Sequence, residues 1–389
     1  MRFAWPAALL STILIAGRAD VATLPKVSPI WGDLLPGPYA VGLVVLEEQD
    51  GARPGLPIDS VTVTSGGRPM PIVVWYPATT SSRPRVTLRE YIELTPAGLG
   101  AAVATLERRR QATEAFAAEA VASGLSRPRV DSVMALPMQA VREAPRKAGR
   151  FPLVVFLHAT PWGASVMSEY LASHGFVVAA IQSKGARQAA YRLSRENLDA
   201  MVEDAMFTVS RMREETDISP RLGVIGMSNG AIAAMALEPG GLRGDAIVSL
   251  DGGIGERAGG TYLHERSEGH PTRFTVPVLH LYTPENPHLD LQYLRSYERS
   301  ARMLARIGQL RHADFLTDGA LERLLPGRAG PAPQGAARGF STACRYTLQF
   351  LRWRLKNDSG AKRFLTLTPE ANGVPAGWMG IERLPATAP

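Results

Sequence analysis

The residues whose types and spacing point most directly to chemistry are Gly226-Met227-Ser228-Asn229-Gly230. G-x-S-x-G is the pattern of a sharp strand-to-helix turn that lifts a serine hydroxyl above the end of a sheet, with glycine where a side chain would collide. In a chain this rich in Gly and Ser the pattern arises by chance roughly 0.2 times, so the flanks decide. They fit: residues 222–225 (LGVI) read as a short apolar strand entering the turn, and residues 231–237 as a helix leaving it.

A serine hydroxyl is a poor nucleophile near neutral pH, so this reading requires a histidine base and an acid that orients it, in the chain order Ser, acid, His. Of the seven histidines, His158, His174, His280 and His288 flank apolar strands or a helix end as ordinary residues, and His264 and His270 fall in a loop. His312, in Arg311-His312-Ala313-Asp314-Phe315, lies well beyond the last strand recognised and is the expected base. Asp251 ends the apolar run 246–250, at the carboxyl edge where open α/β sheets gather their functional groups. Glu285 and Asp290, after the run 276–282, are its rivals, and a turn-capping role at Gly252-Gly253 is its bland alternative. An oxyanion formed on attack needs two backbone N–H donors. Asn229 supplies one; the other comes from His158-Ala159-Thr160-Pro161-Trp162, where Thr160 or Ala159 can donate and Pro161 cannot. Trp162 and Met227 are the expected pocket walls.

These residues need a sheet to hold them. Residues 39–46, 60–64 and 71–76 read as strands, with Gly66-Gly67 turning between the last two, which suggests an antiparallel start. Residues 87–148 differ, with helical spacing over 88–122 and then a polar, Pro-punctuated link, and read as a helical insertion or lid. From 151 short apolar runs (153–157, 176–181, 222–225, 246–250, 276–282) alternate with helical segments (165–173, 193–213, 231–237). That alternation predicts the α/β class, a mostly parallel doubly wound sheet buried on both faces. A last amphipathic helix is expected over 340–355, and residues 358–389 carry too little pattern to place and read as a tail.

The whole chain has 389 residues, 45% apolar and 20% charged, which excludes a chain disordered throughout, a collagen and a coiled coil. The lone Cys344 excludes an internal disulfide framework. The net charge of +7 is spread over scattered arginines, without the clusters of a nucleic-acid groove. No His/Cys/Asp group has metal-ligand spacing, and no cofactor is expected. Residues 1–19, with Arg2, an apolar stretch from Phe3 to Ala16 and Gly17-Arg18-Ala19, look like a signal peptide, so a secreted or periplasmic chain without a stable membrane span is expected; an uncleaved anchor is the competing reading.

With these motifs in hand, the sequence resembles the α/β-hydrolase superfamily, and within it the platelet-activating-factor acetylhydrolase and dienelactone-hydrolase-like esterases. The likeness rests on Trp75-Tyr76-Pro77, on His158-Ala159-Thr160 for a His-Gly-x loop, on Leu171-Ala172-Ser173-His174-Gly175-Phe176, on Ser228 in its turn, on Leu250-Asp251, and on His312 with Asp314-Phe315. It implies an α/β-hydrolase domain over residues 36–357, with Ser228, Asp251 and His312 as catalytic residues; the acetylhydrolase pattern favours Asp251 over Glu285. It implies cleavage of a small-molecule or lipid-like ester through an acyl-enzyme. Acyl transfer or amide cleavage by the same three residues, or a non-catalytic binding protein of the same fold, are the alternatives. Two departures stand out: Ala159 replaces the usual glycine, where a Cβ is expected to restrict the loop, and the 87–148 insertion has no counterpart.

Overall fold

The structure is a computed structural model that describes residues 27–57, 63–96, 100, 104–237, 244–265 and 271–387. The signal-like segment 1–19, His270 and most of the expected strand 60–64 lie outside the described residues; of that strand, Val63 makes a single bridge to Pro57. In chain order the strands are β1 (Ala40–Leu46), β2 (Gln49–Asp50), β3 (Arg68–Pro69), β4 (Ile72–Ala78), β5 (Arg85–Thr87), β6 (Pro137–Arg142), β7 (Phe151–Leu157), β8 (Val177–Ile181), β9 (Ile218–Met227), β10 (Ala246–Leu250), β11 (Val278–Tyr282), β12 (Arg302–Ile307) and β13 (Met379–Leu384). The helices are α1 (Leu88–Glu93), α2 (Leu106–Ala122), α3 (Arg127–Met134), α4 (Pro161–Ser173), α5 (Arg195–Met212), α6 (Asn229–Ala236), α7 (Arg257–His264), α8 (Gln292–Ser296), α9 (Thr317–Leu321), α10 (Ala336–Lys356) and α11 (Ser359–Thr366).

Eleven of these strands form one sheet in the order β13-β12-β11-β10-β9-β7-β8-β4-β1-β6-β5. The six from β12 to β8 run parallel, and β4 enters antiparallel to both β8 and β1. Every residue of β7, β8 and β10 is buried, as expected of strands covered by helices on both faces. The chain leaves β7 for β8 on one side and returns to β9 on the other. That reversal opens a crevice beyond the carboxyl ends of β7 and β9, where His158 and Ser228 emerge.

Two regions differ from the sequence reading. Residues expected to form a polar link before 150 instead contain β6, which lies in the main sheet between β1 and β5, and the insertion is fastened by one buried carboxylate. Glu169 of α4 accepts hydrogen bonds from Trp31 Nε1 (3.0 Å), the Tyr91 hydroxyl (2.8 Å) and the backbone N–H groups of Gln139 (3.0 Å) and Ala140 (2.9 Å). Burial raises its pKa against the pull of those donors. The second difference is the expected tail: α11 packs on α10, and β13 pairs antiparallel with β12 to close the sheet edge.

Candidate active site

Ser228 stands between β9 and α6 with φ 53° and ψ −123°, a conformation that L-residues hold only under constraint. The constraint is steric and hydrogen-bonded. A Cβ on Gly226 would fall 2.3 Å from the Ala231 nitrogen, and one on Gly230 would fall 2.6 Å from the Leu157 carbonyl oxygen, so Gly226 lets α6 start close over the end of β9 and Gly230 lets it pass the end of β7. The Ser228 N–H donates to the Leu250 carbonyl at 3.1 Å, and its own carbonyl accepts from Ala231 and Gly253 at 3.1 and 3.0 Å. Asn229 is the first residue of α6, so its N–H has no intrahelical acceptor and sits at the positive end of the helix dipole.

Asp251 follows β10 with φ 42° and is 1% exposed. Its N–H donates to the Leu281 carbonyl at 2.7 Å, which fixes it on the end of β11. One carboxylate oxygen accepts from the Thr283 N–H at 3.1 Å; the other lies 2.7 Å from His312 Nδ1. His312 begins a short 3-10 turn, His312–Phe315, instead of the open loop expected. The turn is locked from below: fully buried Asp314 accepts from the Arg311 N–H at 2.8 Å and from two guanidinium nitrogens at 2.9 and 2.7 Å. Just beyond it, the Thr317 hydroxyl donates to the Gly163 carbonyl at 2.9 Å, tying the turn to α4. Ser228, Asp251 and His312 line one cavity of about 340 Å³, together with Glu256, Thr283, Glu285, Asn286, His288 and Arg311.

The loop after β7 holds its left-handed residue at His158 (φ 64°), not at Ala159, so the alanine Cβ carries no penalty of the kind expected. Burial, with a smaller contribution from His312, pushes the His158 pKa down to about 4, and its ring meets Tyr191 edge-on at 4.8 Å. Thr160 caps α4, its Oγ1 accepting from the Gly163 N–H at 3.1 Å. Neither expected pocket wall borders the described cavity. Met227 is 3% exposed in the apolar core, and Trp162 packs edge-on against Phe116 of α2 at 5.3 Å, beneath the Arg328 guanidinium. Both belong to the cluster that seats α2 on the sheet.

No protein-family model matches the chain, and no curated protein matches it. Among solved structures it is similar to a ferulic acid esterase from Streptomyces cinnamoneus, with a TM-score of 0.57 at 17% sequence identity, covering 88% of this chain and 96% of that one. The chain has the α/β-hydrolase fold. Within that fold Asp251 follows the strand after the serine turn, and the rivals separate: Glu285 lines the same cavity without an assigned contact to His312, while Asp290 lies outside it, 3.8 Å from Arg257. Sequence reasoning missed Thr283, whose backbone holds the acid, and the Arg311 to Asp314 lock. The second carried a signal, a charge pair three residues apart around His312; the first, a backbone donor, carried none. Among the described residues no group of three His, Cys, Asp or Glu side chains is disposed to hold a metal, and no helix is long and apolar enough to cross a membrane.

Proposed function

We propose that the chain is a serine hydrolase that cleaves carboxylic esters through an acyl-enzyme. The observation that carries this reading is the 2.7 Å contact between His312 Nδ1 and Asp251 beside Ser228 in one cavity. With Nδ1 occupied by the carboxylate, the proton-free nitrogen is Nε2, the tautomer a general base needs. Nε2 takes the Ser228 proton as Oγ bonds to the ester carbonyl carbon, and the N–H groups of Asn229 and Thr160 bind the oxyanion. The imidazolium, stabilised by Asp251, returns the proton to the departing alcohol. Water, deprotonated by the same nitrogen, then attacks the acyl carbon, and collapse frees the acid and Ser228. The reaction calls for no metal or cofactor.

The solved neighbour is named an esterase, which supports ester over amide substrates. The substrate proposed is a small or lipid-like ester, and the chain is proposed to act outside the cytoplasm on the strength of residues 1–19. A fluorophosphonate probe tests the mechanism: the intact chain gains one adduct, located on Ser228. Absence of that adduct, or equal labelling of Ser228→Ala, refutes it and favours a binding protein of the same fold. Competition between water and added alcohols for the acyl group separates hydrolysis from transfer.

A further inference from the structure

A second cavity, of about 270 Å³, lies at the amino ends of the parallel strands, away from the edge that carries Ser228. It is bordered by the start of β12, the end of β13, α10 and α11. We propose that it binds a small amphiphilic anion: a carboxylate, sulfonate or phosphate on an apolar body of one or two rings or a short chain. Its charged lining is all cationic, with Thr366 the one neutral polar side chain. Arg302, Arg354, Lys362 and Arg383 border it and no acidic residue does. Among the described residues none of the four is within ion-pair reach of a carboxylate; of the nearby acids, Glu382 is paired with Arg295 at 2.8 Å and Asp358 with Arg352 at 2.5 Å, and Glu298, whose charge acts on Arg302 from farther off, does not border the cavity.

Two of these cations are held as receptors would be. Arg302 is 6% exposed, its terminal nitrogens donate to the carbonyls of Arg295 (3.0 Å) and Pro385 (3.4 Å), and its buried Nε makes no hydrogen bond. Arg354 lies over the Trp353 ring at 3.6 Å, also with a buried, unpartnered Nε. Burial without a counter-charge pulls the Arg354 pKa down to about 10, and a bound anion would relieve that deficit. Most of the remaining wall is apolar, with Met303, Phe350, Trp353, Leu365 and Leu384. Inorganic anions leave such walls wet, whereas an apolar body covers them. The volume falls just below the roughly 300–1,000 Å³ of pockets for drug-sized ligands, which sets the modest size proposed.

The probe is 2-naphthoate, titrated calorimetrically into the full chain and into an Arg354→Gln/Lys362→Gln variant, with 2-naphthalenemethanol as the neutral analogue. The variant is expected to bind naphthoate at least about tenfold more weakly, and the alcohol is expected to bind the unaltered chain more weakly by a similar factor. Fluorophosphonate labelling of Ser228 should not change, so this result stands whether or not the chain cleaves esters. Equal affinity in chain and variant, equal affinity for the alcohol, or no binding at millimolar naphthoate overturns the proposal. So does binding to phosphatidylglycerol vesicles that the variant loses while naphthoate binding persists, which would assign the patch to a lipid surface. Lys362→Glu alone, at an exposed position, repeats the test should the double variant fail to fold.

Discussion

Replacing His280 with asparagine removes a built-in sensitivity to acid. The imidazole is 1% exposed, shares a 2.8 Å hydrogen bond with the Ser249 hydroxyl through Nδ1, and leaves Nε2 without a partner. Removal from water pulls its pKa from 6.5 to about 4, against a small opposing effect of Asp251. Above pH 6.5 both folded and unfolded chains are neutral here, and the stability contribution is complete. Between pH 6.5 and 4 the unfolded chain takes up a proton that the folded chain refuses, and below that both are charged and the loss is complete. At about 1.4 kcal/mol per pH unit the gap amounts to ~3 kcal/mol. His158, also pushed to about 4, adds a loss of the same sign, so the variant should keep roughly half of the pair's acid lability. Asparagine can keep the bond to Ser249 and cannot titrate; the void it leaves costs the same at either pH. Urea unfolding at pH 7 and pH 4 measures the effect. The stability lost between the two should be smaller in His280→Asn by about 2–3 kcal/mol with an unchanged denaturant slope. A loss equal in both proteins to within about 0.5 kcal/mol would refute the assignment of a neutral, buried imidazole.

Asp251→Asn should lower kcat for a chromogenic ester by about 10³–10⁴-fold with little change in KM. The asparagine oxygen can still accept from Thr283, which turns its NH₂ toward His312 and holds the wrong tautomer; adding His312→Ala to that variant should then cost little more. Gly230→Ala places a methyl 2.6 Å from the Leu157 carbonyl oxygen and 2.8 Å from the His158 Cβ, so the turn must shift. Esterase activity and fluorophosphonate labelling should fall at least about 100-fold, a larger change than the drop in melting temperature suggests. Glu169→Ala strands four donors, Trp31, Tyr91, Gln139 and Ala140, and should cost about 4 kcal/mol or more; denaturation together with loss of protection at Gln139 and Ala140 in hydrogen exchange would register it.

The centre of the sheet was legible because its strands carry their own signal. A strand buried on both faces must be apolar throughout, as 151–157 and 246–250 are, whatever its neighbours. The strands toward either end of the sheet were not legible, because their pattern takes meaning only from the partner. Strand β12 reads Arg-Met-Leu-Ala-Arg-Ile, and Arg302 is buried there only because backbone carbonyls of Arg295 and Pro385 accept from it. Strand β6 begins at a proline and alternates only loosely, yet it pairs with β1 and β5, and the Glu169 carboxylate accepts from its Gln139 and Ala140 N–H groups. Trp162 and Met227 fall outside the cavity for a related reason: proximity in sequence to Ser228 and to the oxyanion loop does not say which way a residue on a strand end or helix start faces.

The candidate site divides along the same line. A side chain suited to chemistry stands out by type and local setting, which is why Ser228, Asp251 and His312 could be picked from the sequence as candidates, and they line one cavity. The groups that hold them are backbone atoms, which every residue has. Parallel register places Leu250 of β10 opposite Leu281 of β11; one residue on, the Asp251 N–H reaches the Leu281 carbonyl, and the Thr283 N–H returns to the Asp251 carboxylate. Any residue but proline at 283 could supply that donor, and so Thr283→Val should leave the acid in place while Thr283→Pro removes its anchor. The proline variant should lose activity without any change in Ser228, Asp251 or His312 themselves, and equal kcat in the two variants would show that the register does not orient Asp251.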